Sequence, residues 1–557
     1  MQKSTKLLIA IILSAVAVLI YKQIDTVRRL EISLDTLKKK VSLTREYTPG
    51  PCRFASQAPK NWGAVQTELR DAVVQVFSDV TEFNWIEPYK SPNQYQSTGS
   101  GFFSNETGEL ITNAHVVDQA KSVSIQIPSF GKRRFVVKVL GVSPERDLAL
   151  LRLKPEDVDE IGKVLGRIPV MALGNSDQVH RSDEIMALGF PLGQQMLKST
   201  TGIVSGREHL AGQHMIQISA PINPGSSGGP SINCSGQVIG VNSAGIMAAQ
   251  NVGYIIPSNE VVLFLNQLKQ VSVEGEKKIK FLRKPYLGVI FNPASDSLTR
   301  FLGNPLPGGL YVAEAQKGSP LEKAGIKTGD MIYEIDGNRL DMFGEMNAAW
   351  SEDKISVVDY VSRLMIGDQV RLVIYRAGKE RTITLTFGSS ELAPVRAMYP
   401  SYEKIDYETV GGLVVMQLAL NHLPLLIQAA PELTQYATEL QNQRLEGALI
   451  VTHVLPTSVA GRARTLRTGY ILKEINSVPV KTLDELRAAL RKSLNTRFLT
   501  IKTSKNLFAV LPFDNILKEE EKLAADFFYS VTPFMQEMIG KTHKSTVDQK
   551  DESQKAS

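Results

Sequence analysis

The sequence predicts a mainly β chain of several domains, and three observations carry that reading. Between Ala64 and about Ile256, short β-branched runs such as Ser122 to Ile127 and Phe135 to Val139 alternate with glycine-containing turns, the pattern of an all-β domain. Further on, Thr328-Gly329-Asp330-Met331-Ile332-Tyr333-Glu334-Ile335-Asp336-Gly337 recurs 140 residues later as Thr468-Gly469-Tyr470-Ile471-Leu472-Lys473-Glu474-Ile475-Asn476-Ser477. In each copy a strand-like run precedes the string and a helix-like run follows it, Val357 to Leu364 and Leu483 to Leu490, so two α+β modules follow the β domain. The length agrees, since 557 residues exceed one core at roughly 150 residues per domain.

The elements follow in order. Leu7 to Ile20 is apolar except for Ser14, with Lys3 and Lys6 before it and Tyr21 and Lys22 after. It is shorter than the roughly 20 residues that span a bilayer comfortably, and no small-x-small cleavage pattern follows, so an uncleaved membrane-anchor helix is expected over 7–20. Ile20, Val27, Leu34 and Val41 repeat every seven with Leu30 and Leu37 between them, which fits a short coiled-coil seam or a single amphipathic helix. Tyr47-Thr48-Pro49-Gly50-Pro51 ends it. The expected division is an anchor and linker over 1–60, the β domain over 61–270 with a closing amphipathic helix from Asn259 to Leu268, and a charged linker from Val273 to Lys284. A first module then occupies 285–390 and a second 400–515. The second carries an apolar insertion from Leu418 to Ile427 that suits assembly. A helical or disordered tail over 516–557 contains the acidic run Glu519 to Glu521.

Composition narrows the function. Sixty-three basic against 57 acidic side chains leave +6 without a long basic arm, so nucleic acid is not an expected partner. Two cysteines, Cys52 and Cys234, exclude a disulfide-dense scaffold and a four-thiolate zinc site. No G-x-x-x-x-G-K-[ST] string and no H-E-x-x-H helix occurs, and His209 and His214 lack companion ligands, so neither a cofactor nor a metal is expected.

The chemistry lies in the β domain. In Asn223-Pro224-Gly225-Ser226-Ser227-Gly228-Gly229-Pro230, glycines let the backbone turn tightly around Ser227; alone, such a string is as consistent with a loop as with a nucleophile. A serine hydroxyl needs an imidazole base, and the base needs a carboxylate to set its tautomer. His115 stands at the end of the strand-like Glu109-Leu110-Ile111, in Thr112-Asn113-Ala114-His115-Val116-Val117. Asp147 follows 32 residues on, ahead of the apolar Leu148-Ala149-Leu150-Leu151, and Ser227 comes 80 further. The order His, Asp, Ser is the one found on paired β-barrels.

These strings resemble the signatures of the HtrA/Do-type serine proteases, which look like TNAHVV, DLALL and GNSGGP. Thr98-Gly99-Ser100-Gly101-Phe102, Gly189-Phe190-Pro191-Leu192-Gly193, Thr201-Gly202-Ile203-Val204-Ser205 and Ile256-Pro257-Ser258-Asn259 agree with the same family. The resemblance implies a chymotrypsin-like double six-stranded β-barrel. It also implies a catalytic set of His115, Asp147 and Ser227, an oxyanion hole from the backbone of Gly225, Ser226 and Ser227, and no ATP. Ser226 departs from the family's usual asparagine, and a residue used through its amide tolerates that change. The stretch Ser219 to Ser226 has no acid to pair with Lys or Arg, so small or medium aliphatic side chains are the expected preference, with Asn242-Ser243-Ala244-Gly245 as the strand that receives the substrate backbone.

Tyr286-Leu287-Gly288-Val289 looks like the carboxylate-binding loop of a PDZ domain, and Gly318-Ser319-Pro320-Leu321 resembles a later turn of that domain. In the second copy Gly411-Gly412-Leu413-Val414 is the expected equivalent, and this divergent copy resembles the plant-organelle branch of the family. The resemblance implies unfolded or misfolded polypeptide substrates, a trimer-based homo-oligomer, and a bacterial inner-membrane anchor with the protease facing the periplasm. Lys22, Arg28, Arg29 and Lys38 to Lys40 outnumber Lys3 and Lys6, which opposes that orientation by the positive-inside rule. The competing function is a holdase or PDZ scaffold on a silent protease fold.

Overall fold

The computed structural model describes residues 61–541 apart from 211, 246–250, 272–278, 285–287, 389–392 and 437–445. The apolar run 7–20, the heptad stretch behind it, Tyr286 and Leu287 therefore lie outside the described residues. Among the described residues no helix is long and apolar enough to cross a membrane.

The first element departs from the expected β pattern. Trp62–Leu69 is a helix (α1), started by the Asn61 side chain accepting the Gly63 N–H at 2.9 Å. Strands begin at Val73. Val73–Glu82 (β1), Asn93–Phe103 (β2), Glu109–Thr112 (β3), Ala120–Gln126 (β4), Phe135–Ser143 (β5) and Leu148–Leu153 (β6) form a closed barrel, because β5 pairs with both β4 and β6 while β6 also pairs with β3. A short helix, Ala114–Val117 (α2), follows β3. Glu184–Gly189 (β7), Lys198–Leu210 (β8), Gln213–Ile218 (β9), Pro230–Ile232 (β10), Val238–Gly245 (β11) and Gly253–Pro257 (β12) close a second barrel. Strand β1 shows why its residues are almost all buried: Val74 and Val76 fill the first barrel, whereas Val73 on the opposite face joins the layer between the barrels with Phe102, Leu188 and Val241. Helix Ser258–Gln270 (α3) buries Val261, Phe264 and Leu268 into that layer at helical spacing.

Lys280–Phe281 (β13) then adds in parallel to β5. The first module orders its sheet as Val289–Pro293 (β14), Leu310–Ala315 (β15), Met331–Ile335 (β16), Gln369–Arg376 (β20) and Lys379–Thr386 (β21). Asn338–Arg339 (β17) pairs with β16, and Glu345–Met346 (β18) pairs with Ile355–Ser356 (β19). Its helix Val357–Ser362 (α4) starts in a capping box between Ser356 and Asp359. The second module repeats this order with Leu413–Gln417 (β23), Leu449–Val454 (β24), Ile471–Ile475 (β25), Phe498–Thr503 (β27) and Phe508–Pro512 (β28), and Val478–Pro479 (β26) pairs with β25. One strand, Tyr407–Val410 (β22), is added outside β23. Helix Leu483–Leu490 (α5) has its own capping box, Thr482 with Glu485.

Two expectations are refined. Of the helical and disordered alternatives for the tail, the described part is helical: Phe513–Phe527 is a helix (α6) whose apolar stripe of Phe513, Ile516, Leu517 and Leu523 includes the fully buried Glu520, and residues 533–541 are helical with Phe534, Met535 and Met538 in the same core. The apolar insertion is consumed within the chain. Leu418, Leu423 and Leu426 pack with Trp85 from the β1–β2 loop, whose ring meets that of His422 edge-on at 5.2 Å.

Candidate active site

The first barrel delivers His115 and Asp147 to one corner. His115 enters α2 directly after β3, and the Asn113 side chain donates to the Asp147 carbonyl at 2.8 Å. Asp147 follows the single turn Pro144–Arg146 in a left-handed conformation (φ 53°, ψ 44°), which aspartate tolerates better than most residues. Its carboxylate is held on three sides. Both oxygens lie 2.9 Å from His115 Nδ1, Oδ1 accepts the His115 backbone N–H at 3.0 Å, and Oδ2 accepts the Ser243 hydroxyl at 2.8 Å. Burial pushes the His115 pKa down, and the hydrogen bond and charge of Asp147 outweigh it, so the imidazole titrates above its ordinary value. With Nδ1–H committed to Asp147, Nε2 is left as the basic nitrogen, and the side chain is half exposed.

The second barrel supplies the turn. Gly225 has φ +93°, and a Cβ there would lie 2.5 Å from the Phe190 carbonyl oxygen, so no other residue fits. Ser100 clamps the turn from the first barrel: its hydroxyl donates to the Gly225 carbonyl (2.7 Å) and its N–H to the Ser227 carbonyl (2.8 Å). Among the described residues the N–H groups of Gly225 and Ser227 donate to no protein acceptor. Ser226 differs from what its family position implied. Its N–H is taken by the Asn223 carbonyl at 2.9 Å, which leaves two open amides rather than three.

The serine hydroxyl is parked. Ser227 Oγ donates to the Ser243 carbonyl at 2.9 Å, and among the described residues no hydrogen bond joins it to His115. Of the four residues expected to receive substrate, Asn242 is built into the barrel. Its side chain donates to the Leu188 carbonyl (3.0 Å) and accepts from Ser231 (2.7 Å), while its backbone exchanges hydrogen bonds with Gly228 and Gly229. Strand β10 ends at Pro230 opposite Val241, so among the described residues no strand pairs with the edge over 243–245 on the side of Ser227. Sequence reasoning missed the double duty of Ser243, because a serine in a strand carries no signal that its hydroxyl and its carbonyl meet two different partners. It also missed Arg146, whose fully buried guanidinium reaches Glu260 at 3.1 Å and the Ser362 carbonyl at 3.2 Å. His209 and His214 both face Asp359 of α4, His209 in a short hydrogen bond and His214 at 3.9 Å. Among the described residues no cluster of His, Cys, Asp and Glu could hold a metal.

Two closed barrels that bring a histidine–aspartate pair beside a serine on an amide-lined turn define a trypsin-like peptidase. The trypsin-like peptidase domain family matches residues 99–241, and the PDZ domain family matches residues 285–387. The "Serine protease Do-like HtrA" of Bacillus subtilis (strain 168) is 30% identical over 367 residues, 61% of this chain and 75% of its own. The "Probable periplasmic serine endoprotease DegP-like" of Hahella chejuensis is 27% identical over 444 residues, 77% of this chain and 83% of its own, and "Protease Do-like 2, chloroplastic" of Arabidopsis thaliana is 29% identical over 462 residues, 79% and 71%. A solved structure, "HtrA-type protease AlgW with decapeptide", is 23% identical, covers 59% of this chain and 98% of its own, and has a TM-score of 0.45. The chain belongs to the HtrA (Do-like) serine protease family and is a serine endopeptidase carrying a PDZ domain.

Proposed function

We propose that this chain cleaves unfolded or misfolded proteins without ATP, with Ser227 as nucleophile, His115 as general base and Asp147 as the acid that sets its tautomer. The observation that carries the reading is the carboxylate of Asp147 bound to His115 Nδ1 beside the N–H groups of Gly225 and Ser227, which have no protein acceptor among the described residues. A substrate strand pairing with the open edge over 243–245 takes the Ser243 carbonyl with its own N–H, which frees the Ser227 hydroxyl to turn toward His115. Ser227 Oγ then attacks the scissile carbonyl while its proton passes to Nε2. The N–H groups of Gly225 and Ser227 hold the oxyanion, and the imidazolium returns the proton to the leaving amine. Water repeats the sequence to release the acyl group.

The lack of an acid between Ser219 and Ser226 supports cleavage after small or medium aliphatic residues. We assign 61–270 to the peptidase, 285–390 to a PDZ module that captures C-terminal carboxylates at the Gly288 loop, and 400–515 to a second PDZ-like module. The periplasmic name of the Hahella relative supports a periplasmic protease, with 7–20 as its anchor in the inner membrane and the heptads of 20–41 as a contact in a trimer-based assembly.

Labelling with a fluorophosphonate tests the reading against a silent scaffold. Wild type labels and Ser227→Ala does not; an unlabelled, folded wild type sinks the proposal. Asp147→Asn folds and loses on the order of 10⁴ in turnover. A loss below about tenfold would assign the role to another acid. Because His115 must be neutral to act and its pKa is raised, kcat/KM falls with acidification from above the ordinary histidine value.

A further inference from the structure

The two modules share the contacts of one glycine loop, and the match aligns the strand that follows it in each. The Gly288 carbonyl accepts the Gln316 N–H and the Gly412 carbonyl accepts the Leu455 N–H, both at 2.8 Å. A Cβ built on Gly288 would lie 2.2 Å from Ser319 Cβ, and one on Gly412 would lie 2.1 Å from Ser458 Cβ. Each of these serines is the N-cap of a short helix. Gly412 is thus the counterpart of Gly288. The second loop is Val410-Gly411-Gly412-Leu413, one residue earlier than the motif alone suggested. In a PDZ module a peptide adds antiparallel to the strand after this loop, with its C-terminus at the loop amides.

That strand is β14 in the first module and β23 in the second. Among the described residues β14 pairs only with β15, so its other edge is open. Strand β23 is paired on both edges, with β24 and with β22. Strand β22 runs antiparallel to β23 and ends at the loop, with Val410 opposite Leu413 across the two glycines, so Tyr407 to Val410 lies as a bound peptide would. Helix α5 closes the groove over it. Arg487 donates to both oxygens of Asp406 (2.9 and 3.0 Å) and to Glu408 (2.8 Å). Val410 and Glu408 are fully buried. The loop amide is also taken: the Gly411 N–H donates to the carboxyl of Glu520 on α6 at 3.3 Å, and the Tyr529 hydroxyl donates to its other oxygen at 2.8 Å.

We propose that the second module is closed to peptide ligands because β22 fills its groove as a tethered ligand and Glu520 occupies its loop amide, so that capture of free C-termini belongs to the first module alone. The clause on the first module rests on the function proposed above; the closure of the second does not.

Hydrogen exchange on full-length Ser227→Ala protein, with and without a saturating decapeptide ending in a valine with a free carboxylate, separates the two. The amides of Tyr407–Val410 and Leu413–Gln417 exchange slowly without peptide and are unchanged by it, while the peptide slows exchange in Val289–Pro293. If the peptide slows exchange nowhere, capture by the first module fails while the slow exchange of β22 still supports closure of the second. New protection of Leu413–Gln417 by the peptide, or unprotected exchange of Tyr407–Val410 without it, overturns closure. Arg487→Ala speeds exchange of β22 by about tenfold or more while β24 and β25 stay slow. Should that variant lose the whole sheet, Asp406→Asn is read instead, with an increase of about threefold confined to β22; no change in β22 in either variant rejects the clamp.

Discussion

The two modules share a sheet order and a helix position, yet they are tied to the peptidase in different proportions of charge and apolar contact. The first is held mainly by charge: Arg363 pairs with Asp177 at 2.8 Å, Arg181 pairs with Asp353, and His209 with Asp359. The second is held by apolar burial, with Trp85, Phe83 and Ile86 of the β1–β2 loop packed among Val395, Leu418, Leu423 and Ala430. Charged contacts at a part-exposed interface contribute little net energy and are screened by salt, whereas a buried indole in a packed cluster contributes several kcal/mol. The difference suits the proposed roles, a first module that admits ligands and a second closed on itself.

The largest test of this contrast is Trp85→Ala, which removes a buried aromatic and is expected to cost about 3–5 kcal/mol. Hydrogen exchange then rises in Leu418 to Leu433 while the first module is unmoved; equal loosening of both modules would break the comparison. Next come Gly288→Ala and Gly412→Ala. Each adds a Cβ to a left-handed residue against a serine Cβ, so each module should lose about 1–3 kcal/mol independently of the other, read in thermal unfolding. A neutral Gly412→Ala would mean that the loops are not equivalent.

Glu520 sharpens the picture through pH. Burial pushes its pKa up to about 7, with the charge of Glu408 adding to the rise. A carboxyl whose folded pKa exceeds its unfolded value stabilises most when protonated, so its contribution is full below about pH 4.5 and is lost as pH rises through 7. Glu520→Gln keeps an acceptor for Gly411 without the charge and should gain on the order of 2 kcal/mol over wild type at about pH 8 and nothing at about pH 4. The same gain at both pH values would assign the effect to packing. The smallest effect is that of salt: raising it from about 0.1 to about 1 M should weaken the first module's docking by about 1 kcal/mol or less and leave the second unchanged.

Much of the peptidase was legible because its chemistry is written in short strings. His115, Asp147 and Ser227 each sit in a local pattern of strand end, turn and apolar run, and in the structure His115 Nδ1 lies 2.9 Å from the Asp147 carboxylate. The repeated module was legible in the same way, from a ten-residue string that recurs 140 residues later. The acidic run Glu519 to Glu521 left a helix and a disordered tail both open; Glu520 falls four residues after Ile516 and three before Leu523, on the stripe that helix geometry turns inward.

The sequence by itself marked the candidate catalytic residues and the repeated module, because each is written in short strings of neighbouring residues, while the two-barrel class followed from the resemblance those strings carry. Only the tertiary structure decided that the Ser227 hydroxyl lies on the Ser243 carbonyl, that the Arg146 guanidinium is buried against the Ser362 carbonyl, and that Glu520 takes the Gly411 amide. Those outcomes depend on partners such as Gly411 and Glu520, 109 residues apart, or Arg146 and Ser362, 216 apart. No local periodicity encodes such meetings; they follow from which surfaces remain to be buried once the sheets and helices have formed.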